Sequence, residues 1–336
     1  MSEESQQDQL ALDDSIVLVI SEEDKSSFKR LDQFLSAKID HLSRNFLKSL
    51  FEKGMISGLK DDSEVKVTLK KMPDVGTEIN VQVPPPLPST AQAEDIPLEI
   101  LFEDEHLVIV NKPAGMVTHP APGNMTGTLV NAILHHCPDL KGVGDQKRPG
   151  IVHRLDKGTS GVMVVAKDQK THEGLVLLFS THDIERRYEA LVIGSKIPVG
   201  GTLNSTLGRH PQNRLKMAIN VRGGKEAITH YKVLEEFDCL FHMEMKLETG
   251  RTHQIRVHLA SLLKSPILCD STYGNPSQQL QRLPDELSNI AKEYPHPFLH
   301  AKILGFVHPI TGEKLHFEKE PPELFTTLLE KARELK

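Results

Sequence analysis

The chain contains no tryptophan, and aromatic residues occupy only 5% of its 336 positions. This composition argues against a protein that stacks sugars or cages cations between aromatic rings. Its three cysteines, Cys137, Cys239 and Cys269, are odd in number and form no CxxC pair. Neither a disulfide framework nor a zinc site is therefore indicated. The chain also lacks a GxGxxG run, which argues against a dinucleotide-binding fold.

Long apolar runs are missing as well, because no stretch approaches the roughly 20 residues that span a bilayer. The first residues, MSEESQQDQLALDDS, have neither the basic flank nor the apolar core of a secretory signal. We therefore expect a cytoplasmic protein with no membrane partner. With 38% hydrophobic residues the chain can still form a sizeable core, and its length suits two or three domains.

The formal net charge of −6 conceals an uneven distribution along the chain. Residues 1–24 carry eight acidic side chains and no basic one, whereas residues 25–72 carry eleven Lys or Arg against six Asp or Glu. Because phosphate contacts depend on local charge, residues 25–72 are a candidate nucleic-acid surface. An ordinary solvated face is the alternative, and composition alone leaves both open.

The N-terminal part of the chain divides into three segments. Residues 1–25 are polar and acidic and are predicted to be a disordered tail. Residues 26–83 show two helical patterns of apolar residues, followed by alternating patterns at 65–69 and 79–83 that predict strands. The stretch PPPLPSTAQAED, residues 84–95, has little to bury and is predicted to be a stiff linker.

Residues 96–330 contain more strand signals than helix signals. LEILFEDEHLVIVNKP predicts two strands around a turn, and IVHRLDKGTSGVMVVAKD predicts strand, loop and strand, with Asp156 in the loop. Alternating apolar residues from Phe241 to Leu247 predict a half-buried strand. Because there is no regular βαβ alternation, the predicted fold class is α+β, with a mainly antiparallel mixed sheet.

Three segments carry residues with chemical potential. Asp156 ends the run HRLD, and a carboxylate in such a turn is ordinarily a helix cap or a salt-bridge partner. RRYEALVIG places Tyr188 at the start of a predicted strand. ETGRTHQIRVHLA gathers four cationic or titratable groups at the start of a predicted helix, where burial without partners would be costly. These groups are Arg251, His253, Arg256 and His258.

The segments GIVHRLDKGTSGVMVVAK, RRYEALVIG, GRTHQIRVHLA and NKPAGMVTHP together resemble the RluA family of RNA pseudouridine synthases. HPAPGN, GTLVNAILHH and RHPQNRLKMAI resemble its RluD-like branch, the large-subunit ribosomal RNA type. Residues 26–83 resemble the S-four-type RNA-binding domain, an α+β module that precedes the catalytic domain in many members. The resemblance implies a pseudouridine synthase that acts on large-subunit (23S) ribosomal RNA or its precursor particle, without cofactor or metal, and we expect a monomer.

The resemblance also implies roles for individual residues. Asp156 matches the essential catalytic aspartate, Arg256 the basic residue that pairs with it, and Tyr188 the tyrosine that lines the pocket. Arg154 matches the arginine that fills the space left by a flipped nucleotide. Further RNA contacts are expected from five basic or titratable residues: Arg30, Arg44, Lys48, Arg251 and His253. No catalytic role is assigned to His119, His135 or His136.

The reaction explains why these residue types are needed. Pseudouridine forms when the bond from uracil N1 to ribose C1′ breaks and uracil C5 joins C1′, with no net oxidation. A carboxylate can stabilise or capture a cationic C1′. Alternatively, Asp156 or Tyr188 removes the C2′ proton, and the sequence leaves both routes open. A carboxylate in a site that excludes water needs a positive partner, and a guanidinium can hold it through two donors. A stacked uridine must also be extruded first.

Two rival functions and two departures from the family pattern remain. The protein could be a ribosome-assembly factor in which catalysis is secondary, or a nucleoside glycosidase, which would need a second carboxylate that is not evident near HRLD. Cys269 stands where the family has glycine in a PILGD-like segment. ISGLKDDSEV replaces the short VNG turn of the S-four-type domain, which predicts a longer or altered loop.

Overall fold

The computed structural model describes residues 14–39, 42, 44–83, 91–121, 123–140, 143–145, 148–213 and 215–336. The chain forms two compact units, residues 1–87 and residues 88–336. The division between them falls inside the proline-rich segment 84–95. Each unit has a hydrophobic core of its own.

The smaller unit packs helices against a four-stranded antiparallel sheet with the strand order β1-β4-β2-β3. Its described elements are β1 (Asp14–Val19), α1 (Glu22–Ser27), α2 (Leu31–Lys38), α3 (Arg44–Glu52), β2 (Ile56–Lys60), β3 (Ser63–Val65) and β4 (Glu78–Val83). Leu31, Phe34 and Leu35 of α2 are buried against Ile79 and Val81 of β4 in one core. This α+β unit agrees with the fold predicted for residues 26–83.

The prediction of a disordered tail over residues 1–25 was wrong for its described part. Residues 14–19 form β1, which pairs with β4 along its whole length, from Asp14↔Val83 to Val19↔Glu78. Ser21 and Asp24 then cap α1 through reciprocal hydrogen bonds. The acidic neighbours concealed the apolar run SIVLVI, in which Ile20 is fully buried. Residues 1–13 lie outside the described residues.

A longer or altered loop was predicted between β2 and β3, and the structure excludes the longer one. Lys60 pairs with Ser63, so that only Asp61 and Asp62 form the turn. Both have positive φ values, 50° and 57°, as a tight type I′ hairpin turn requires. Aspartate tolerates this conformation better than most residues do. The strand predicted over 65–69 ends at Val65, and Val67 packs on the core without strand pairing.

The larger unit has a ten-stranded sheet with helices packed on it. Its first described elements are β5 (Glu99–Glu103), β6 (Leu107–Lys112), α4 (Leu129–His136), β7 (Gly144–Asp145), β8 (Arg148–Pro149), β9 (Ser160–Ala166), α5 (Gln169–Thr181), β10 (Glu185–Ile193) and β11 (Gly200–Arg209). These are followed by β12 (Met217–Ile219), β13 (Lys225–Phe237), β14 (Leu240–Leu247), α6 (Gln254–Ser261), α7 (Pro276–Leu280), α8 (Asp285–Glu293), β15 (Leu299–Val307), β16 (Lys314–Glu318) and α9 (Glu323–Glu334).

The order of this sheet is β12-β11-β13-β14-β10-β15-β9-β6-β5, with β16 paired to β15. All described pairings between its strands are antiparallel except β9–β15, which is parallel at two positions. Gly161 makes that close approach possible, because a Cβ at its φ of +123° would clash with the Ala301 backbone. The predicted fold class, α+β with a mainly antiparallel mixed sheet, is confirmed.

Local predictions in this unit had different outcomes. The hairpin of β5 and β6 and the strand β14 lie where they were predicted. The strand predicted before Asp156 is absent: Ile151 makes only an isolated bridge to Val165, and irregular backbone leads to Asp156. Of the predicted linker, residues 84–90 lie outside the described residues, whereas residues 91–95 belong to the larger unit, where Gln92 O accepts a hydrogen bond from Asn131 at 2.7 Å.

An ion pair connects α9 to the sheet and gives a testable pH dependence. Arg333 donates through Nε and Nη2 to the carboxylate of Glu235 in β13, at 2.8 and 2.7 Å. These hydrogen bonds are the largest of the causes, with burial opposing them and His242 adding to them, that lower the pKa of Glu235 to about 2, from 4.5. Because the folded-state pKa is depressed, the stabilisation is complete above pH 4.5 and is lost as the pH falls towards 2.

We therefore expect Arg333→Gln to lower the free energy of unfolding by about 1 kcal/mol at pH 7, a modest value because Arg333 is half exposed. The difference from the wild type should shrink between pH 5 and pH 3. Urea denaturation of both proteins across this range measures it, and a difference that is constant with pH would contradict the assignment.

Candidate active site

A cavity of about 560 Å³ opens in the larger unit. Its walls come from the irregular segment before β9, the end of α5, the start of β10, and the turn that leads from β14 into α6. Five arginines line it, whereas Asp156 is the only acidic residue among its described lining. The arginines are Arg148, Arg154, Arg186, Arg251 and Arg256. This excess of positive charge suits a polyanionic ligand.

The backbone on both sides of Asp156 is held by the loop that follows β6. Thr118 Oγ1 donates to the carbonyl of Leu155 at 2.9 Å, and the Gly115 N–H donates to the carbonyl of Lys157 at 2.7 Å. These bonds satisfy carbonyl groups of a segment that has no strand partner of its own. NKPAGMVTHP, one of the four motifs, therefore positions the segment that carries Asp156.

Arg256 binds two carboxylates at once. Its Nη1 donates to Asp156 Oδ2 at 3.0 Å, while Nε and Nη2 donate to Asp270 Oδ2 and Oδ1, both at 2.8 Å. Burial lowers the pKa of Arg256, but the hydrogen bonds and charges of the two aspartates raise it on balance. The two-donor fork that was expected to hold Asp156 thus holds Asp270 and leaves a single donor for Asp156.

Asp270 was missed by the sequence analysis, although its motif had been noticed. It is fully buried, and its Oδ1 also accepts the backbone N–H groups of Thr272 and Tyr273. The preceding Cys269 has a φ of +61°, the left-handed conformation that favours glycine. The turn expected of a glycine is therefore kept by a cysteine, whose N–H donates to Gln279. The aspartate of the PILGD-like motif was the signal that could have identified Asp270.

His253 lies close to Asp156 at the beginning of α6. Its Nε2 is 3.9 Å from Asp156 Oδ2, and its Nδ1 shares a 2.7 Å hydrogen bond with the Tyr273 hydroxyl. Burial is the main reason that its pKa is lowered, so that the imidazole is neutral at pH 7. The Tyr273 ring also lies 5.2 Å from the Arg256 guanidinium. His253 therefore lines the cavity beside Asp156 and is held there by Tyr273.

Tyr188, in β10, is nearly fully buried and lines the same cavity. Burial raises the pKa of its hydroxyl, and the nearby negative charge of Asp156 raises it further against the opposing charge of Arg186. The phenol is consequently protonated at neutral pH. The structure thus brings Asp156, Tyr188 and Arg256 to one cavity.

Comparison with known proteins agrees with this arrangement. Residues 106–261 match the family model described as RNA pseudouridylate synthase. Ribosomal large subunit pseudouridine synthase D of Zymomonas mobilis is 45% identical over 300 residues, which cover 88% of this chain and 90% of the relative. The chain belongs to the RNA pseudouridine synthase family. It is an isomerase, and the resemblance to the RluA family is confirmed.

Two further matches support the family assignment. The corresponding synthase D of Pseudomonas aeruginosa is 47% identical over 242 residues, covering 72% of this chain and 74% of the relative. Among solved structures, human RNA pseudouridylate synthase domain containing 4 has 26% identity and a TM-score of 0.51, covering 70% of this chain and 93% of that one. Among the helices of the described residues, none has the length and apolar character to cross a bilayer.

In the synthase, the first residue of HRLD holds the loop in place. His153 Nε2 accepts the backbone N–H of Val164 in β9 at 3.1 Å, and its ring stacks on Phe179 at a centroid distance of 4.6 Å. Burial, with the charge of Arg186, lowers the pKa of His153 to about 3. A neutral imidazole is needed for this acceptor role. His153 was quoted in the sequence analysis without a role of its own.

The residues predicted to contact RNA lie in both units of the synthase. Arg154 is exposed at the cavity. The cavity is also lined by Arg251, His253 and His119, the last of which was assigned no catalytic role. In the smaller unit, Arg30 donates twice to Asp32 at 2.8 Å, so that its guanidinium is already engaged. Arg44 and Lys48 are exposed on α3, and Lys48 lies 3.7 Å from Glu52.

One group of described residues has the geometry of a possible metal site. Ligand atoms of Glu103, His136 and Cys137 lie within 4.8 Å of one another, away from the residues that line the cavity. Lys167 already donates to Glu103 at 2.8 Å, and burial raises the pKa of Cys137 to about 11. A protonated thiol and a competing ammonium make this group a poor metal ligand set.

Proposed function

We propose that Asp156 is the catalytic carboxylate of this pseudouridine synthase, with Arg256 and Tyr188 completing the active site. The observation that carries the proposal is the hydrogen bond from Arg256 to the single acidic side chain in the described cavity lining. Arg256 orients that carboxylate and offers it a positive charge after RNA has displaced water.

The raised pKa of Tyr188 supports a division of roles between Tyr188 and Asp156. Because burial raises its pKa, the phenol has no free negative charge with which to remove the C2′ proton at neutral pH. This supports Asp156 as the proposed group that acts on the sugar, either at C1′ or at the C2′ proton. Tyr188 packs against the nucleotide and positions it. The reaction is a net isomerisation and requires no cofactor or metal.

The proposed substrate is large-subunit (23S) ribosomal RNA or its precursor particle, as the names of the synthase D relatives indicate for those proteins. The target uridine leaves its stack and enters the cavity, and Arg154, exposed at the cavity, fills the vacated space. We further propose that the synthase acts as a monomer in the cytoplasm.

The assay for this function measures tritium released from C5-labelled uridine in transcripts of large-subunit and small-subunit ribosomal RNA. Tritium leaves C5 when C5 bonds to C1′, so that release reports isomerisation directly. We expect release from the large-subunit transcript at a small number of uridines. Release from neither transcript, when folded protein is present in excess, would refute the proposed substrate.

The smaller unit is proposed to bind RNA and to raise the local concentration of substrate at the cavity. Deleting residues 1–83 removes the basic segment, and the larger unit keeps its own core. We expect the RNA dissociation constant to rise about tenfold or more at 150 mM salt, with a shallower salt dependence. The turnover rate at saturating RNA should change less than about threefold.

Filter binding at several salt concentrations and single-turnover kinetics measure the two effects separately. An Arg44→Glu, Lys48→Glu variant of the full chain is the matched control for charge, because both residues are exposed on α3. It should weaken binding in the same direction as the deletion. Unchanged affinity after the deletion would exclude an RNA-binding role for this unit.

A further inference from the structure

Arg186 is a buried cation that has no acidic partner among the residues described by the structure. It precedes Tyr188 by two residues in β10, is only 6% exposed, and lines the cavity. None of the described carboxylates lies within salt-bridge distance of its guanidinium, and its Nε has no hydrogen-bond partner among the described residues. By contrast, the neighbouring Arg187 is paired with both Glu185 and Glu244. The contrast shows that Arg186 is the unusual member of the pair.

The position of the Arg186 guanidinium is nevertheless well defined. Its Nη2 donates to the carbonyl of Glu248 at 2.6 Å, and its Cζ lies 5.5 Å from the centroid of the Phe179 ring. Gly250 leaves room for it, because a Cβ there would be 2.7 Å from Nη1. Three elements, α5, β10 and the turn before α6, thus hold one cation at the cavity wall.

The surroundings of Arg186 favour an anion. Burial is the main cause that lowers the pKa of Arg186; Tyr188 opposes this effect, and the positive charge of Arg251 adds to it. A buried charge without an opposite charge beside it is costly, and an anionic ligand would offset that cost. Guanidinium groups bind phosphate through two parallel donors, a geometry that Lys cannot reproduce.

We propose that Arg186 binds a phosphodiester group of the substrate RNA, next to the nucleotide that enters the cavity. The proposal rests on RNA as the substrate and adds a phosphate subsite to it. Arg186 shares the cavity with Asp156 and Tyr188, so that a phosphate held there sets the position of the adjoining ribose. Binding at this subsite draws the extruded uridine towards Asp156 and supplies part of the energy of unstacking.

The test combines Arg186→Met with methylphosphonate substitution of the RNA. The probe is a large-subunit rRNA stem-loop that the wild-type protein modifies, with a neutral methylphosphonate placed singly at each linkage around the modified uridine. We expect Arg186→Met to raise the dissociation constant about 10- to 100-fold. The slope of log Kd against log salt concentration should fall by about 0.7, the value for one single-strand phosphate.

The effects of Arg186→Met and of the critical methylphosphonate on the free energy of RNA binding should not be additive. One methylphosphonate position should weaken wild-type binding by a similar factor and have little further effect on Arg186→Met. Arg187→Met is the matched control and should bind the stem-loop like the wild type, because Arg187 is paired outside the cavity lining. Arg186→Lys retains the charge but not the two-donor geometry. Its salt slope should equal that of the wild type, and its dissociation constant should be close to that of Arg186→Met.

The proposal would be overturned if every methylphosphonate weakened RNA binding by the same factor in the wild type and in Arg186→Met. It would also be overturned if Arg186→Met bound the RNA with the affinity and salt slope of the wild type. If Arg186→Met does not fold, the proposal is decided by Arg186→Lys and the wild-type methylphosphonate scan. In that case, the proposal would be contradicted if no single methylphosphonate weakened RNA binding by the wild type. All of these are binding measurements, so that a failure of Asp156 as the catalytic carboxylate would leave them unchanged and would be seen only in tritium release.

Discussion

Replacing Asp156 with asparagine is expected to abolish isomerisation while leaving RNA binding nearly intact. The amide keeps the size of the side chain but cannot act as a nucleophile or accept a proton from the sugar. Tritium release from C5-labelled RNA should fall by more than about 10⁴-fold, in the range seen when catalytic groups are removed. The dissociation constant should stay within about threefold of the wild type, because the five arginines of the cavity lining are unchanged.

Asp139→Asn is the control for this experiment. Asp139 is exposed in the short 3₁₀ helix after α4 and does not line the cavity, so that this variant should retain wild-type turnover. If Asp156→Asn still releases tritium at a rate near that of Asp139→Asn, the role assigned to Asp156 is wrong.

The second large effect is expected from Asp270→Asn. Both oxygens of this fully buried carboxylate accept hydrogen bonds, so that an amide NH₂ must face a donor of Arg256 or a backbone N–H. Disrupting a buried ion pair from one side costs about 3–5 kcal/mol, because the other charge stays buried. The Arg256 guanidinium also loses the fork that orients its Nη1 towards Asp156. Misplacing a catalytic group by about 1 Å can cost roughly 100-fold in turnover.

Thermal unfolding and kcat at saturating RNA measure the two consequences of Asp270→Asn. The comparison variant is Glu236→Gln, which makes the same change of carboxylate to amide at an exposed position of β13. It should leave both quantities unchanged. Asp270→Asn with the thermal stability and kcat of the wild type would show that Arg256 does not depend on Asp270.

Much of the larger unit could be predicted from sequence because its signals are local. The alternation in β14 and the paired apolar runs of β5 and β6 are set by which face of the sheet is buried. The motifs around Asp156, Tyr188 and Arg256 were long enough to be matched together to one family. Their meeting in one cavity depends on the order β14-β10-β15-β9, which no single motif determines.

The features that could not be predicted depend on contacts with residues that are distant in the sequence or are brought close only by the fold. The strand β1 has polar and acidic neighbours in the sequence, and it is ordered because it pairs with β4, for example at Val17↔Asn80, a partner 63 residues later in the chain. Asp270 resembled an ordinary turn aspartate until the fold placed it against Arg256, 14 residues before it. Arg186 likewise resembled its neighbour Arg187 in sequence, and only the packing of β10 separates a cavity residue from a surface ion pair.

The most direct measurement is a map of pseudouridines in ribosomal RNA from cells that lack the protein, complemented with either the wild type or Asp156→Asn. The account predicts that specific uridines of the large-subunit RNA stay unmodified in the deletion strain. The wild-type gene should restore them, and Asp156→Asn should not, although it is expressed and binds RNA. Restoration of those pseudouridines by Asp156→Asn, or an unchanged map in the deletion strain, would contradict it.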